Sequence, residues 1–292
     1  MDSLVKGLIR NGNIRVYGVD SSLTSKKICK DHEATPVVSD ALSRLISVGA
    51  MMAGMLKDGR LTLKIEGNGP IKILYVDASS NGNIRGFVGN PFVDLPLNSQ
   101  NKLDVGKAVG NLGVLTVTKK QNLKQDFVGD VILTSGEIGD DFSYYFYMSE
   151  QTPSIVLVGA IIDVNYEVKL SGGMILQLLP GSSEDDLVFA EDFAKTTPSI
   201  LQLFEKYNNI LDVIKNVFPD IEILSETPIK FSCDCTKERF INGIATLDEK
   251  EINSMIEENH GCEVRCDFCN HVYNLSEDDL KKSLEIKHKK GE

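Results

Sequence analysis

Four cysteines toward the end of the chain have a spacing that suits metal chemistry. Cys233 and Cys235 form a C-x-C pair inside Phe231-Ser232-Cys233-Asp234-Cys235, and Cys266 and Cys269 form a C-x-x-C pair about thirty residues later. In an extended segment, side chains two apart point to the same side, so Cys233 and Cys235 can reach one atom together. A C-x-x-C turn gathers its two sulfurs at one point, as in the knuckle of a zinc site. Four thiolates with no other strong ligand favour a tetrahedral zinc ion. Two plainer outcomes stay open from spacing alone: a purely structural zinc knot, or two ordinary disulfides. Nearby competitors are Cys262, four residues before Cys266, and His271, two residues after Cys269. The C-x-C and C-x-x-C set has the better geometry of these.

Other chemistry finds little footing. Gly106-Lys107 has neither the earlier glycine nor the Ser/Thr of a phosphate loop, and Gly67-Asn68-Gly69 runs into Pro70. Of the four histidines, only His32 lies outside the cysteine-bearing end, so a histidine-based triad has little to draw on. Asp140-Asp141 and Asp185-Asp186 read as a helix start and a solvated loop. No catalytic residue is expected. Cys29, remote from the other cysteines, reads as an incidental small residue.

The elements that must position the four sulfurs follow from patterning. At 292 residues, 42% of them apolar, the chain is long enough for one large domain and a small one. The predicted class is α+β: a large N-terminal β-sheet domain with packed helices over 1–180, a helical linker over 181–231, and a small C-terminal zinc-binding domain over 232–292. The first thirty residues read as β-structure around the Asn11-Gly12 turn. Thr35-Pro36 begins a helix that runs to Met55, and its Gly49-Ala50-Met51-Met52-Ala53-Gly54 stretch predicts close packing on a sheet. Residues 60–135 read as strands joined by tight turns, followed by a helix from Asp140 to Ser149. Strands return over Ser154–Asp163 and Tyr166–Leu179, the second carrying Gly172-Gly173, a sign of a bulge or a close backbone approach. Pro180 to Asp186 reads as a polar break. Beyond it, short amphipathic helices start at Thr197-Pro198 and near Ile210, too short to stand alone, and are expected to lay their apolar faces on the N-terminal sheet.

Charge and apolar runs narrow the partners. The net charge of −11 opposes phosphate-backbone binding, and residues 233–292 hold nine Lys/Arg against fourteen Asp/Glu, a balance of −5. No nucleic acid is expected. The longest apolar run, Ile155 to Ile162, is interrupted by Gly159 and is too short for a membrane span. Met1 to Gly7 opens with an acid and has no signal-peptide core. The expectation is a soluble cytoplasmic protein with reduced thiols.

The whole chain resembles the redox-regulated thirty-three-kilodalton chaperonin family of heat-shock holdases. The resemblance rests on Cys233-x-Cys235 with Lys237-Glu238-Arg239, and on Cys266-Asp267-Phe268-Cys269-Asn270 with Tyr273. It rests also on Asn90-Pro91, Asp94-Leu95-Pro96, Lys102 to Gly106, Ser135 to Ile138, Tyr144-Tyr145-Phe146, Ser149-Glu150-Gln151 and Gly172-Gly173-Met174 through Pro180-Gly181. Cys29 and Cys262 lie outside that pattern and leave other disulfide pairings open. The resemblance implies an ATP-independent chaperone of unfolding client proteins under heat and oxidative stress, inactive when reduced and bound to one Zn2+ per chain. It implies Cys233, Cys235, Cys266 and Cys269 as the zinc ligands, and Cys233–Cys235 and Cys266–Cys269 disulfides in an oxidised, dimeric, partly unfolded active form. A thiol–disulfide oxidoreductase using the C-x-x-C pair, or a zinc knot without redox function, is the alternative.

Overall fold

The computed structural model describes residues 1–121, 125–207 and 209–291. Contacts divide the chain into two compact units, Met1–Ser232 and Cys233–Glu292. The class is α+β, as the patterning predicts.

In chain order the first unit contains β1 (Ser3–Ile9), β2 (Ile14–Asp20), α1 (Ser22–Asp31), α2 (Pro36–Ala53), β3 (Arg60–Gly67), β4 (Ile73–Ser79) and β5 (Asn83–Val88). There follow α3 (Val105–Val109), β6 (Gly113–Lys120), β7 (Phe127–Ile132), α4 (Ile138–Met148), β8 (Ser154–Ile162) and β9 (Val168–Leu178). Then come α5 (Glu184–Thr196), α6 (Ile200–Lys206), α7 (Ile210–Val217), β10 (Glu222–Pro228) and β11 (Lys230–Phe231). Two sheets result, one of five strands ordered β10-β1-β2-β9-β8 and one of six ordered β11-β5-β4-β3-β6-β7. All pairings are antiparallel except β11 with β5.

The helix α2 is the hub of this unit. It packs on β2, β8 and β9 of one sheet and on β3, β4 and β5 of the other. Sixteen of its eighteen residues are buried, so it is apolar nearly all round, as a helix enclosed between layers must be. Its small residues let the sheet backbones come near. A Cβ on Gly49 would meet a Val76 methyl at 2.8 Å. Its two charges pair with each other: buried Asp40 takes Arg44 at 2.7 Å, and Arg44 also reaches Glu137 at 2.6 Å. Thr35 precedes the helix but does not cap it with its side chain. The hydroxyl donates instead to the carbonyls of Pro91 and Val93, which ties the start of α2 to that loop.

The central strands β1, β2 and β9 of the five-stranded sheet are buried on both faces, and successive residues alternate between two cores. Leu4, Tyr17, Val19 and Ile175 face the α2 side. Val5, Val16, Met174 and Leu176 face a second core built with Phe193, Ile200, Leu203, Phe204, Ile210, Val213, Ile214 and Phe218. The short helices thus lie where their amphipathic patterns require: α6 on β8 and β9, α7 on β1 and β2, α5 beside β9. Gly18 and Gly172 make the close approach possible, since a Cβ there would sit 2.4 Å from an Ile214 methyl and 2.5 Å from the Phe204 ring. The strand irregularity falls at Ile161/Ile162, so Gly172-Gly173 marks a close approach and not a bulge.

Several elements differ from the sequence reading. The opening contains a ten-residue helix, α1, and its Cys29 is buried in the main core. Residues 60–135 include the short α3. The polar run over 180–186 is a break only as far as Ser183; Glu184 opens α5, with Ser183 and Asp186 forming a capping box. The next helix opens at Ile200 behind Ser199, which makes its own capping box with Gln202, and not at Thr197-Pro198. After α7 the chain returns to β-structure, and β10 adds an edge to the five-stranded sheet.

The second unit holds α8 (Lys237–Ile244), α9 (Glu249–Glu257), the hairpin β12 (Gly261–Arg265) with β13 (Val272–Ser276), and α10 (Glu277–Gly291). Its apolar core is only Ile241, Ile244, Ile252, Leu275 and Leu280 with a half-buried fringe. Among the described residues no helix is long and apolar enough to cross a membrane.

Candidate metal centre

The hairpin register sets the C-x-x-C turn. Arg265 pairs with Val272 at the last rung, and the six residues beyond close on themselves. Within that loop the Cys266 amide donates to the His271 carbonyl at 3.0 Å, and the Asn270 amide donates to the Cys266 carbonyl at 2.9 Å. Asn270 takes φ 55°, a left-handed conformation that asparagine tolerates better than most side chains. The result is a tight knuckle that presents Cys266 and Cys269 together.

The C-x-C pair is held from the other direction. Thr236 caps α8 by accepting the Arg239 amide. Arg239 reaches back, donating to the Asp234 carbonyl at 3.0 Å and pairing with the Asp234 carboxylate at 2.8 Å. The turn between the two cysteines is therefore fixed by the helix that follows it. Lys237 pairs with Asp279 at 2.6 Å, which fastens α8 to the start of α10. The Lys237 ammonium and the Ser276 amide hold the Asp279 carboxyl well below the usual carboxylate range.

All four sulfurs meet. Cys233, Cys235, Cys266 and Cys269 place their Sγ atoms within 4.8 Å of one another, with Cys266 buried and the others half-buried. Cys233 lies 3.7 Å from Cys266, and Cys235 lies 3.4 Å from Cys269. Sulfurs about 2.3 Å from a tetrahedral ion stand about 3.8 Å apart, so the donor set fits one zinc-sized ion. Both of these contacts run between the two knuckles, and all six cysteines are free thiols.

Tyr273 completes the surroundings. Its hydroxyl donates to the Cys235 carbonyl at 3.0 Å and lies 3.3 Å from the Cys235 sulfur. The ring is gripped between His271 and Phe240. Its hydrogen bond to Cys235, with some help from burial, pushes the phenol up to about 12. Burial pushes the Cys233 and Cys269 thiols up. Burial acts the same way on Cys235, but the hydrogen bonds from Tyr273 and the neighbouring thiols outweigh it and bring that thiol down.

The competitors separate from the cluster. His271 contributes its carbonyl and a ring contact, and its imidazole is not among the grouped ligand atoms. Cys262 stands on β12 opposite Leu275, half-buried against the small core, which raises its thiol. Cys29 is buried beside Ser39 and Ser43, and burial pushes it up to about 11, the environment of an inert thiol. The acid pairs are accounted for locally. Asp141 accepts the Thr134 and Ser135 amides at the start of α4, and Asp186 caps α5.

Fold and site together define an α+β protein with a small C-terminal unit whose four cysteines could hold a metal ion. The family model described as Hsp33 protein matches residues 2–276. A 33 kDa chaperonin of Halalkalibacterium halodurans is 42% identical, over 96% of this chain and 97% of its own length. One from Bacillus pumilus is 40% identical over 98% and 99%. The crystal structure of the Thermotoga maritima 33 kDa chaperonin superposes with a TM-score of 0.89 at 34% identity, covering 98% of this chain and 99% of that one. The chain belongs to the Hsp33 family.

Proposed function

We propose that this protein is a redox-regulated, ATP-independent holdase, silent when reduced and metal-bound. The relatives' name, 33 kDa chaperonin, supports the chaperone part of the reading. In this reading residues 1–180 bind clients and dimerise, 181–231 form a detachable cover, and 232–292 are the switch. Cys233, Cys235, Cys266 and Cys269 are the ligands of one zinc ion. The protein works in the cytoplasm as a homodimer when active, without enzymatic turnover.

The observation that carries the proposal is the pairing of a four-sulfur cluster with a core of five aliphatic side chains. A unit that small leans on its metal. Bound zinc would keep the sulfurs as thiolates and contribute on the order of 10–16 kcal/mol to folding. Whole domains sit only about 5–15 kcal/mol above unfolding, so the unit should melt once its sulfurs stop ligating. Thiolates are the form that peroxide attacks. Each pair of thiolates gives two electrons to one peroxide as the S–S bond forms and the O–O bond breaks, and the peroxide takes up two protons and leaves as two waters. We assign the pairs as Cys233–Cys235 and Cys266–Cys269, each within one knuckle, so that neither bond holds the two knuckles together.

Melting frees the end of the 181–231 segment, which runs through Ser232 into Cys233. The helices α5 to α7, seven to thirteen residues long, depend on their apolar faces for stability. Once they lift, the face carrying Val5, Ile14, Val16, Met174 and Leu176 meets solvent and can hold apolar segments of unfolding clients. The test is peroxide treatment at raised temperature, following metal release and light scattering of an aggregating client in the same sample. Client protection is expected to rise as metal is released. Release without any gain in protection would leave a structural knot only.

A further inference from the structure

The segment from Glu222 to Ser232 is an edge for both sheets at once. β10 lies antiparallel on β1, with Ser3 opposite Pro228 and Leu8 opposite Glu222. The Ile229 amide then donates to the Asp2 carbonyl, and β11 runs parallel to β5. The Lys230 amide donates to Gly82 and the Ser232 amide to Ile84, each at 2.9 Å. Cys233 is the next residue. One ribbon thus covers a row of backbone groups on β1 and another on β5, and its far end is the first candidate ligand.

The way this ribbon is held is unusual for a strand. Glu222, Leu224, Ser225, Glu226 and Pro228 are exposed, and only Ile223 and Thr227 of β10 are half-buried. Ile229 is the one fully buried anchor, with Phe231 partly packed beside it under the Lys27 ammonium. The β1 edge therefore reads mainly main-chain geometry, with Ile223 packed against the second core besides. An edge of this kind accepts any extended chain by strand addition, since main-chain hydrogen bonds supply the attraction.

We propose that the edges of β1 and β5, occupied in the folded protein by residues 222–232, capture extended segments of unfolding polypeptide once the ribbon is released. This rests on the reading that the cover detaches when the C-terminal unit melts. The occupant is an unfolded chain because the native occupant is itself an extended segment of mixed polar and apolar residues, anchored by Ile223, Ile229 and Phe231, a pattern common in any denatured protein. Backbone capture gives binding without sequence preference, which a general holdase needs. The released ribbon stays tethered and competes at high effective concentration. Clients therefore succeed when they engage the edge and the uncovered apolar face together.

Hydrogen exchange on the full-length oxidised protein tests this, with a reduced and alkylated, permanently unfolded globular protein as client. Light scattering of an aggregating protein is run on the same preparation. On oxidation, the amides of 3–9 and 84 that face the ribbon, and those of 222–232, should lose protection by at least about tenfold, while the β1 amides bonded to β2 keep theirs. With client bound, the ribbon-facing amides of 3–9 and 84 should regain protection while 222–232 stay open, which separates capture from re-docking of the ribbon. If clients are protected from aggregation while the ribbon-facing amides of 3–9 never open, or open and stay open with client bound, edge capture is wrong and the holdase reading stands. If oxidation confers no client protection at all, the holdase reading fails and the edge proposal falls with it.

Discussion

Tyr273 shows how far the candidate metal centre extends beyond its sulfurs. Its hydroxyl anchors the Cys235 carbonyl while touching the Cys235 sulfur, so one side chain fixes the C-x-C turn from the hairpin side. Outer partners of this kind commonly tune metal affinity about 10–100-fold. Tyr273→Phe keeps the ring between His271 and Phe240 and removes only the hydroxyl. A chelator competition on the reduced protein should show affinity weakened within that range, and unchanged affinity would mean the hydroxyl is incidental. The four cysteines were legible from spacing because C-x-C and C-x-x-C are local patterns. The role of Tyr273 was not, because it depends on the β12–β13 register returning residue 273 beside residue 235. Cys262 is the opposite case: close in sequence to Cys266, it is turned into the small core by its place on β12.

At the scale of elements, α5 is held at its start by the Asp186 carboxylate. Asp186 caps α5 with Ser183 and also accepts from Arg10 at 2.9 Å and Asn13 at 2.8 Å. The Ser183 amide, then Arg10, hold its carboxyl well below the usual range. A depressed folded-state value stabilises the docked helix above the ordinary carboxylate range near pH 4, and that contribution fades as pH falls below it. Protease cleavage within 184–196 should therefore quicken on acidification in the native chain. Asp186→Asn should be cleaved faster already at neutral pH and respond less to acid. Equal cleavage of both chains across that range would remove Asp186 as a fastening. The sequence showed Ser183 to Asp186 only as a cluster of polar residues, because a helix start and a loop share that composition until Arg10 and Asn13 arrive from 173 or more positions away. β10 was hidden for a related reason. An edge strand with most side chains in solvent has no apolar alternation to betray it.

For the whole molecule, the layering bears on the proposed switch. The long apolar strands and α2 were legible because both faces of β1, β2 and β9 are buried, which writes continuous hydrophobic runs into the sequence. The α2 core stands on residues between Leu4 and Ile229, and its packing does not draw on α5 to α7. Those helices close a separate core on the opposite face, so they can leave without dismantling the first. The central claim is that a metal-loaded, folded C-terminal unit keeps that second face covered. The most direct measurement compares reduced, metal-saturated protein with oxidised, metal-free protein in suppressing the light scattering of a heat-denaturing client. The account predicts aggregation as in buffer alone for the first and suppression for the second. Equal suppression by the reduced, metal-saturated form would contradict it.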